Sequence, residues 1–239
     1  MSIILREVHP GDLKTVFDLA ETFSLLNLPP DEKVISDKIA LSARSFRGES
    51  LSTEECEYMF VAEDTEAKRV VGTSLIIAKH GTEEFPHIYF DVRNKERYSK
   101  ELGVGFIHQV LKLCYDPDGP TEIGALLVHE SYRRRPEKVG KQISLIRFLY
   151  MGMFKNRFEN RILCELTPPL TADGRSEFWE ALGRKFTGLP YMEADYLSRQ
   201  NKEFIQNLFP EEEIYTCVLD AKARYVIGRV GLSTLPAKH

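Results

Sequence analysis

Apolar and polar positions along this chain follow two rhythms, one of period two and one of period near 3.6, and the switches between them mark its elements. Ile3–Val8 reads as a short strand. His9-Pro10-Gly11-Asp12 then makes a turn, with Asp12 placed to cap a helix carrying Leu13, Val16, Phe17 and Ala20 on one face. Pro29-Pro30-Asp31 punctuates the next start, and Val34, Ile35, Ile39 and Phe46 outline a second amphipathic helix. Glu57–Glu63 and Val70–Lys79 are apolar runs separated by Asp64-Thr-Glu-Ala-Lys-Arg69, the signature of a hairpin. Ile88–Val92 adds a strand, and Leu102–Leu113 reads as a helix.

The second half is more informative. Ile123–His129 has the pattern of a buried strand. A basic segment from Tyr132 to Lys141 follows it, and then a long apolar helix from about Gln142 to Phe158. Arg161–Leu166 is another buried strand, and Ser176–Arg184 a short helix holding the single tryptophan, Trp179. Beyond Gly188 the chain reads as short helices with one strand-like piece at Ile214–Leu219. This order predicts an α/β fold with a mixed, mostly antiparallel sheet flanked by helices. No linker divides the chain, so 1–187 reads as one domain and 188–239 as its helical C-terminal extension.

Composition narrows the function. With 43% hydrophobic and 28% charged residues the chain is an ordinary globular protein, and a net charge of −4 lacks the basic footprint of a nucleic-acid binder. No apolar run approaches membrane-spanning length, and the N-terminus lacks the features of a signal peptide. Cys56, Cys114, Cys164 and Cys217 lie far apart without histidines at ligand spacing, so reduced, mostly buried thiols are expected and a metal site is not. These readings place the protein in the cytoplasm, without nucleic-acid or membrane partners.

A strand that runs through a basic loop into a helix makes a site for an anion. The first helical turn leaves backbone N–H groups without intrahelical partners, and the helix dipole adds positive potential. Here the turn falls at Lys138-Val139-Gly140-Lys141-Gln142, behind Arg133, Arg134 and Arg135. Gly140 lets a phosphate approach the backbone, Lys138 and Lys141 add charge, and Arg135 offers forked contacts. A solvated basic turn is the alternative. The nucleotide P-loop and dinucleotide patterns are both absent.

This strand, loop and helix resemble the pyrophosphate loop of Gcn5-related acyltransferases, whose Arg/Gln-x-x-Gly-x-Gly/Ala pattern stands here as Arg135-Pro-Glu-Lys138-Val-Gly140. Lysine replaces the first glycine. A closer resemblance, in order along nearly the whole chain, is to the arginine N-succinyltransferase family. It is carried by Glu57-Tyr-Met-Phe-Val-Ala-Glu-Asp, Ser99-Lys-Glu-Leu, Arg147-Phe-Leu-Tyr-Met-Gly-Met-Phe, Phe178-Trp-Glu-Ala-Leu-Gly-Arg-Lys-Phe, Ala194-Asp-Tyr-Leu and Val226-Ile-Gly-Arg-Val. The resemblance implies a Gcn5-related fold and transfer of succinyl from succinyl-CoA, a co-substrate rather than a bound cofactor, to the α-amine of arginine in arginine catabolism. It also implies that Leu126 contacts CoA. Two positions depart from the family. Its catalytic histidine would fall at Gly231, and its glycine-rich, threonine-containing segment stands here as Thr22-Phe-Ser-Leu-Leu-Asn-Leu-Pro29. The family also continues beyond this C-terminus, so the chain is a fragment, is completed by another chain in a homo- or hetero-oligomer, or closes its sheet without the final strands.

Acyl transfer to an amine needs a base and a group that polarises the thioester carbonyl. Backbone N–H groups around Leu126–Val128 are natural donors, beside a CoA site formed by Arg135 and Lys138–Gln142. Glu165, matching a family glutamate, and His129 at the strand end are the candidate bases; a structural carboxylate and a turn cap are their alternatives. His80, His87 and His108 read as structural or exposed, and Tyr191, Tyr196 and Tyr215 as packing residues, with proton donation to the leaving thiolate as their alternative. An acyl-CoA N-acyltransferase is thus expected, with a non-catalytic or partner-dependent subunit, or an enzyme for a different amine, as the alternatives.

Overall fold

The Asp31 side chain accepts a hydrogen bond from the Val34 N–H at 3.1 Å, satisfying one of the orphan donors of the longest helix, and Gly48 closes that helix in the left-handed region at φ +67°. The computed structural model describes residues 2–22, 27–49, 52–199 and 201–231. Residues 23–26 of the segment that departs from the family, and the terminus at 236–239, lie outside them.

Along the chain the elements are β1 (Ile3–Glu7), α1 (Leu13–Thr22), α2 (Glu32–Arg47), β2 (Glu57–Asp64), β3 (Arg69–Ile77), β4 (His87–Ser99), β5 (Val104–Asp116) and β6 (Thr121–Val128). They continue with α3 (Val139–Met153), β7 (Ile162–Leu163), α4 (Arg184–Thr187), α5 (Tyr191–Ser198), α6 (Glu203–Leu208), β8 (Ile214–Tyr215) and α7 (Ala221–Val226). These elements fall into two compact units, one up to Glu84 and from Pro117 to Glu165, the other from Phe85 to Asp116 and from Leu166 onward. This division differs from a boundary at residue 187, because β8, beyond that boundary, pairs with β5 near the middle of the chain.

The first unit is built on a five-stranded sheet in the order β1-β2-β3-β6-β7. All its pairs are antiparallel except β6 with β7. Strand β2 is apolar almost throughout because helices cover both faces. Met59 and Val61 pack with α1 and α2 through Val16, Leu19, Ile35 and Ile39, while Tyr58, Phe60 and Ala62 pack with Val139, Ile143 and Met151 of α3. The strand–loop–helix–strand order read from the sequence is present here as β6, α3 and β7, and β6 and β7 pair in parallel. β7 is shorter than the run Arg161–Leu166 suggests, and α3 begins and ends earlier than Gln142 and Phe158.

The second unit holds the clearest departure from the sequence pattern. Leu102–Leu113 is not a helix; it forms most of β5, which pairs residue for residue with β4 from Ser99↔Val104 to His87↔Asp116. Leu102, Phe106, Val110 and Leu113 have helical spacing, but Gly103 at φ +64° turns the chain and Gly105 weakens any helix. The long antiparallel ladder then decides the outcome, with β8 added on the far edge of β5. Phe90, Phe178, Trp179, Phe186 and Phe209 form one aromatic cluster in this unit, and the Trp179 Nε1–H donates to the Leu189 carbonyl at 2.9 Å. Cys56 and Cys114 are half-buried, while Cys164 and Cys217 are exposed, so fewer thiols are buried than expected.

Candidate active site

Strand β6 carries an extra residue. Thr73 of β3 faces Leu127 while Leu75 faces Gly124, so three steps on β6 span two on β3, and Ala125 takes up the surplus at φ +47°. The bulge turns side chains over: Ile123 belongs to the α3-side core, whereas Ala125, two residues on, belongs to the core under α1 and α2. Leu126 and Val128 face α3, and both are half-buried. Pairing with β7 stops at Glu122↔Leu163, so among the described residues β6 has no strand beside its second edge beyond that point.

A buried polar chain holds the bulge in place. The Ala125 N–H donates to Asn27 Oδ1 at 3.1 Å, and the Ala125 carbonyl accepts from Thr73 Oγ1 at 2.8 Å. Asn27 Nδ2 donates to Glu122 Oε1 at 3.0 Å, and His80 Nδ1 lies 2.7 Å from Glu122 Oε2. Burial alone would raise the Glu122 pKa, but the His80 bond and charge, with Asn27, outweigh it and hold the carboxyl below its ordinary range. Gly124 is required by this packing, since a Cβ there would stand 1.7 Å from Asn27 Nδ2.

After β6 the chain makes a short 3-10 turn at Glu130–Tyr132 and enters the basic loop. The Tyr132 hydroxyl donates to Asp64 Oδ2 at 2.8 Å, tying the loop to the β2–β3 hairpin, and the Arg135 guanidinium lies over the Tyr132 ring at 4.3 Å. Lys138 starts α3 in the left-handed region at φ +51°, and no side chain caps the helix. The N–H groups of Val139 and Gly140 therefore open from a first turn that carries no acidic residue, flanked by the exposed Lys138 and Lys141. Gln142 Nε2 donates to the Glu137 carbonyl at 2.6 Å, bracing the turn from behind. Gly140 has helical φ, and a Cβ there would meet only Val128 Cγ2 at an ordinary 3.6 Å, so the protein's own packing does not demand glycine.

The left-handed Lys138 stands where the Gcn5-related pattern has glycine. A lysine pays a steric penalty there that glycine does not. Lys138→Gly is expected to raise the unfolding free energy by about 1 kcal/mol in denaturant titration. A loss of stability would mean that the lysine side chain makes compensating contacts.

The structure places the two candidate bases as follows. His129 caps the 3-10 turn, with Nδ1 2.8 Å from Ser131 Oγ and accepting the Ser131 N–H at 3.3 Å. Glu165 is exposed, two residues past the last paired residue of β7. Gly231 lies in the second unit, where its N–H donates to the Thr167 carbonyl at 2.8 Å and a Cβ would fall 2.7 Å from the Pro168 carbonyl oxygen. No side chain fits there without a backbone shift. Sequence reasoning did not single out Glu122 or Asn27 and read His80 as structural or exposed; a lone charge within an apolar strand pattern was the one available signal for Glu122.

These features can be set beside known proteins. The sequence profile of the family described as arginine N-succinyltransferase beta subunit matches residues 3–239. The chain belongs to this family. Arginine N-succinyltransferase subunit beta of Pseudomonas aeruginosa is 35% identical over 238 residues, covering 98% of this chain and 68% of the relative. Arginine N-succinyltransferase of Photorhabdus laumondii is 34% identical over 239 residues, with 99% and 68% covered. Among solved structures, arginine/ornithine succinyltransferase subunit AI from Pseudomonas aeruginosa superposes with a TM-score of 0.83 at 28% identity, over 99% of this chain and 68% of that one. Among the described residues, no helix is long and apolar enough to cross a membrane.

Proposed function

We propose that this chain is a cytoplasmic acyl-CoA-dependent N-acyltransferase that moves succinyl from succinyl-CoA to the α-amine of arginine, giving N2-succinyl-arginine and CoA. The observation that carries the reading is the bulged, one-sided strand β6 running directly into the uncapped, basic start of α3. In this reading the N–H groups of Val139 and Gly140, with Arg135, Lys138, Lys141 and Gln142, hold the coenzyme's pyrophosphate. The open edge of β6 at Leu126–Val128 pairs with the amide-bearing arm of the coenzyme as a strand would, and offers N–H donors to the thioester carbonyl.

The chemistry requires little else. The amine nitrogen attacks the thioester carbon, the C–S bond breaks, and the sulfur leaves as thiolate. One proton must leave the nitrogen and one must reach the sulfur. We place His80, whose Nδ1 lies 2.7 Å from the buried Glu122, as the group that takes the first. Glu165 and His129 are the further candidates.

One observation favours a second reading, in which the chain works as a partner-dependent or non-catalytic subunit. Gly231 stands where the resemblance places a catalytic histidine, and its surroundings leave no room for one. Two of the named relatives are themselves subunits. The test is thiol release by the purified chain from succinyl-CoA or acetyl-CoA with arginine, ornithine and other amines. Turnover with arginine is expected. Absence of turnover on every amine, with CoA binding intact by calorimetry, would sink the enzyme reading and leave the subunit one.

A further inference from the structure

The buried stripe of α3 runs Val139, Ile143, Arg147, Met151, at intervals of four residues. Three members are apolar and one is a cation. Arg147 is only 3% exposed. Its Nε donates to the Ser144 carbonyl at 3.1 Å, Nη2 to Ser144 Oγ at 2.8 Å, and Nη1 to the Gly124 carbonyl at 3.3 Å. These contacts use three of its five N–H donors. All the acceptors are neutral, and among the described residues Arg147 forms no salt bridge. A guanidinium taken out of water without a counter-ion is costly, and an apolar residue of similar size would be neutral or stabilising there.

Its location gives the charge a use. Gly124 is the residue just before the bulge and two past Glu122, the last residue of β6 paired with β7. Arg147 thus stands at the fork between the two strands, with two donors still available. From the basic turn, β6 leads back along its open edge to this fork, the direction in which a coenzyme anchored at the helix start would run its arm. We propose that Arg147 is the specificity residue for the acyl group, binding the terminal carboxylate of a dicarboxylic acyl chain such as succinyl. The inference rests on the acyl-CoA reading given above and names the acyl class within it.

The test compares succinyl-CoA with butyryl-CoA, which has the same chain length and no carboxylate, in the wild-type chain, Arg147→Met and Arg147→Lys. The wild-type chain is expected to prefer succinyl-CoA. In Arg147→Met, kcat/KM for succinyl-CoA should fall about 10- to 100-fold, the worth of a charge-assisted contact, with butyryl-CoA unchanged and the melting temperature of the unliganded protein no lower. Arg147→Lys should recover part of the preference, since it restores charge without the fork. Equal losses for both thioesters would overturn the proposal and make Arg147 a packing residue. If the wild-type chain turns over neither thioester, the catalytic reading has failed, and calorimetric binding of the same pair still decides this one. Should Arg147→Met not fold, wild-type binding of succinyl-, glutaryl- and butyryl-CoA decides: equal affinities overturn the proposal.

Discussion

Gly140→Asp is expected to weaken CoA binding by about 100-fold or more while leaving the protein folded. The carboxylate would stand in the first turn of α3, where the coenzyme's phosphates are proposed to lie. Two like charges about 4 Å apart near a protein surface repel by roughly 4 kcal/mol, more than the roughly 2.7 kcal/mol that a 100-fold change needs. The fold itself should tolerate the change, because the site of the new Cβ meets only Val128 at 3.6 Å and an acid near a helix start is favoured by the dipole. Gly140→Ala separates the two effects further. It removes no charge and strains no backbone, so thermal stability should hold, and any loss of affinity reads the closeness of the phosphate alone. Calorimetric titration with CoA, paired with a melting curve, checks both variants. Unchanged affinity in Gly140→Asp would remove the phosphate from this loop.

Glu122→Ala is expected to lower stability by about 3–5 kcal/mol, the usual consequence of removing one partner from a buried pair. The variant strands His80 and leaves Asn27 without the acceptor that orients it toward the bulge at Ala125. Acid should act in the same direction on the wild-type chain. The Glu122 pKa is lowered in the fold, so its carboxylate contributes stability above the ordinary unfolded value of about 4.3 and loses that contribution as pH falls through the lower folded value. Urea titrations at pH 7 and through the acid range measure both effects. The variant should show a shallower acid limb than the wild type; an equal limb would assign the acid sensitivity to other carboxylates.

Much of the proposed anion site was legible before folding was considered. Arg135, Lys138, Gly140 and Lys141 announce themselves by their place between an apolar strand and an apolar helix; Lys138, Gly140 and Lys141 fall at the start of α3, and Arg135 in the loop before it. Lys138, which replaces the pattern's glycine, has a left-handed backbone of the kind glycine adopts at least cost. The β4–β5 hairpin was misread for a reason as concrete. Apolar residues at 102, 106, 110 and 113 satisfy a helical spacing, and only the thirteen-residue ladder with β4, invisible in local pattern, overrules it.

The sequence by itself determined whatever depends on neighbours a few residues apart. That includes the helix start after Pro29-Pro30-Asp31, the apolar runs of β2 and β3, the hairpin between them, and the basic turn at the head of α3. Periodicity and capping act over one or two turns of chain, so a single pass along the residues finds them. Tertiary structure alone decided the rest. Asn27 meets Glu122 and Ala125 across more than ninety residues, His80 meets Glu122 across forty-two, and Arg147 meets the Gly124 carbonyl at the strand fork. Nothing local distinguishes these polar side chains from solvated ones. Their meaning comes from burial, where water no longer satisfies a charge or a hydrogen bond and each group must find its partner elsewhere in the fold.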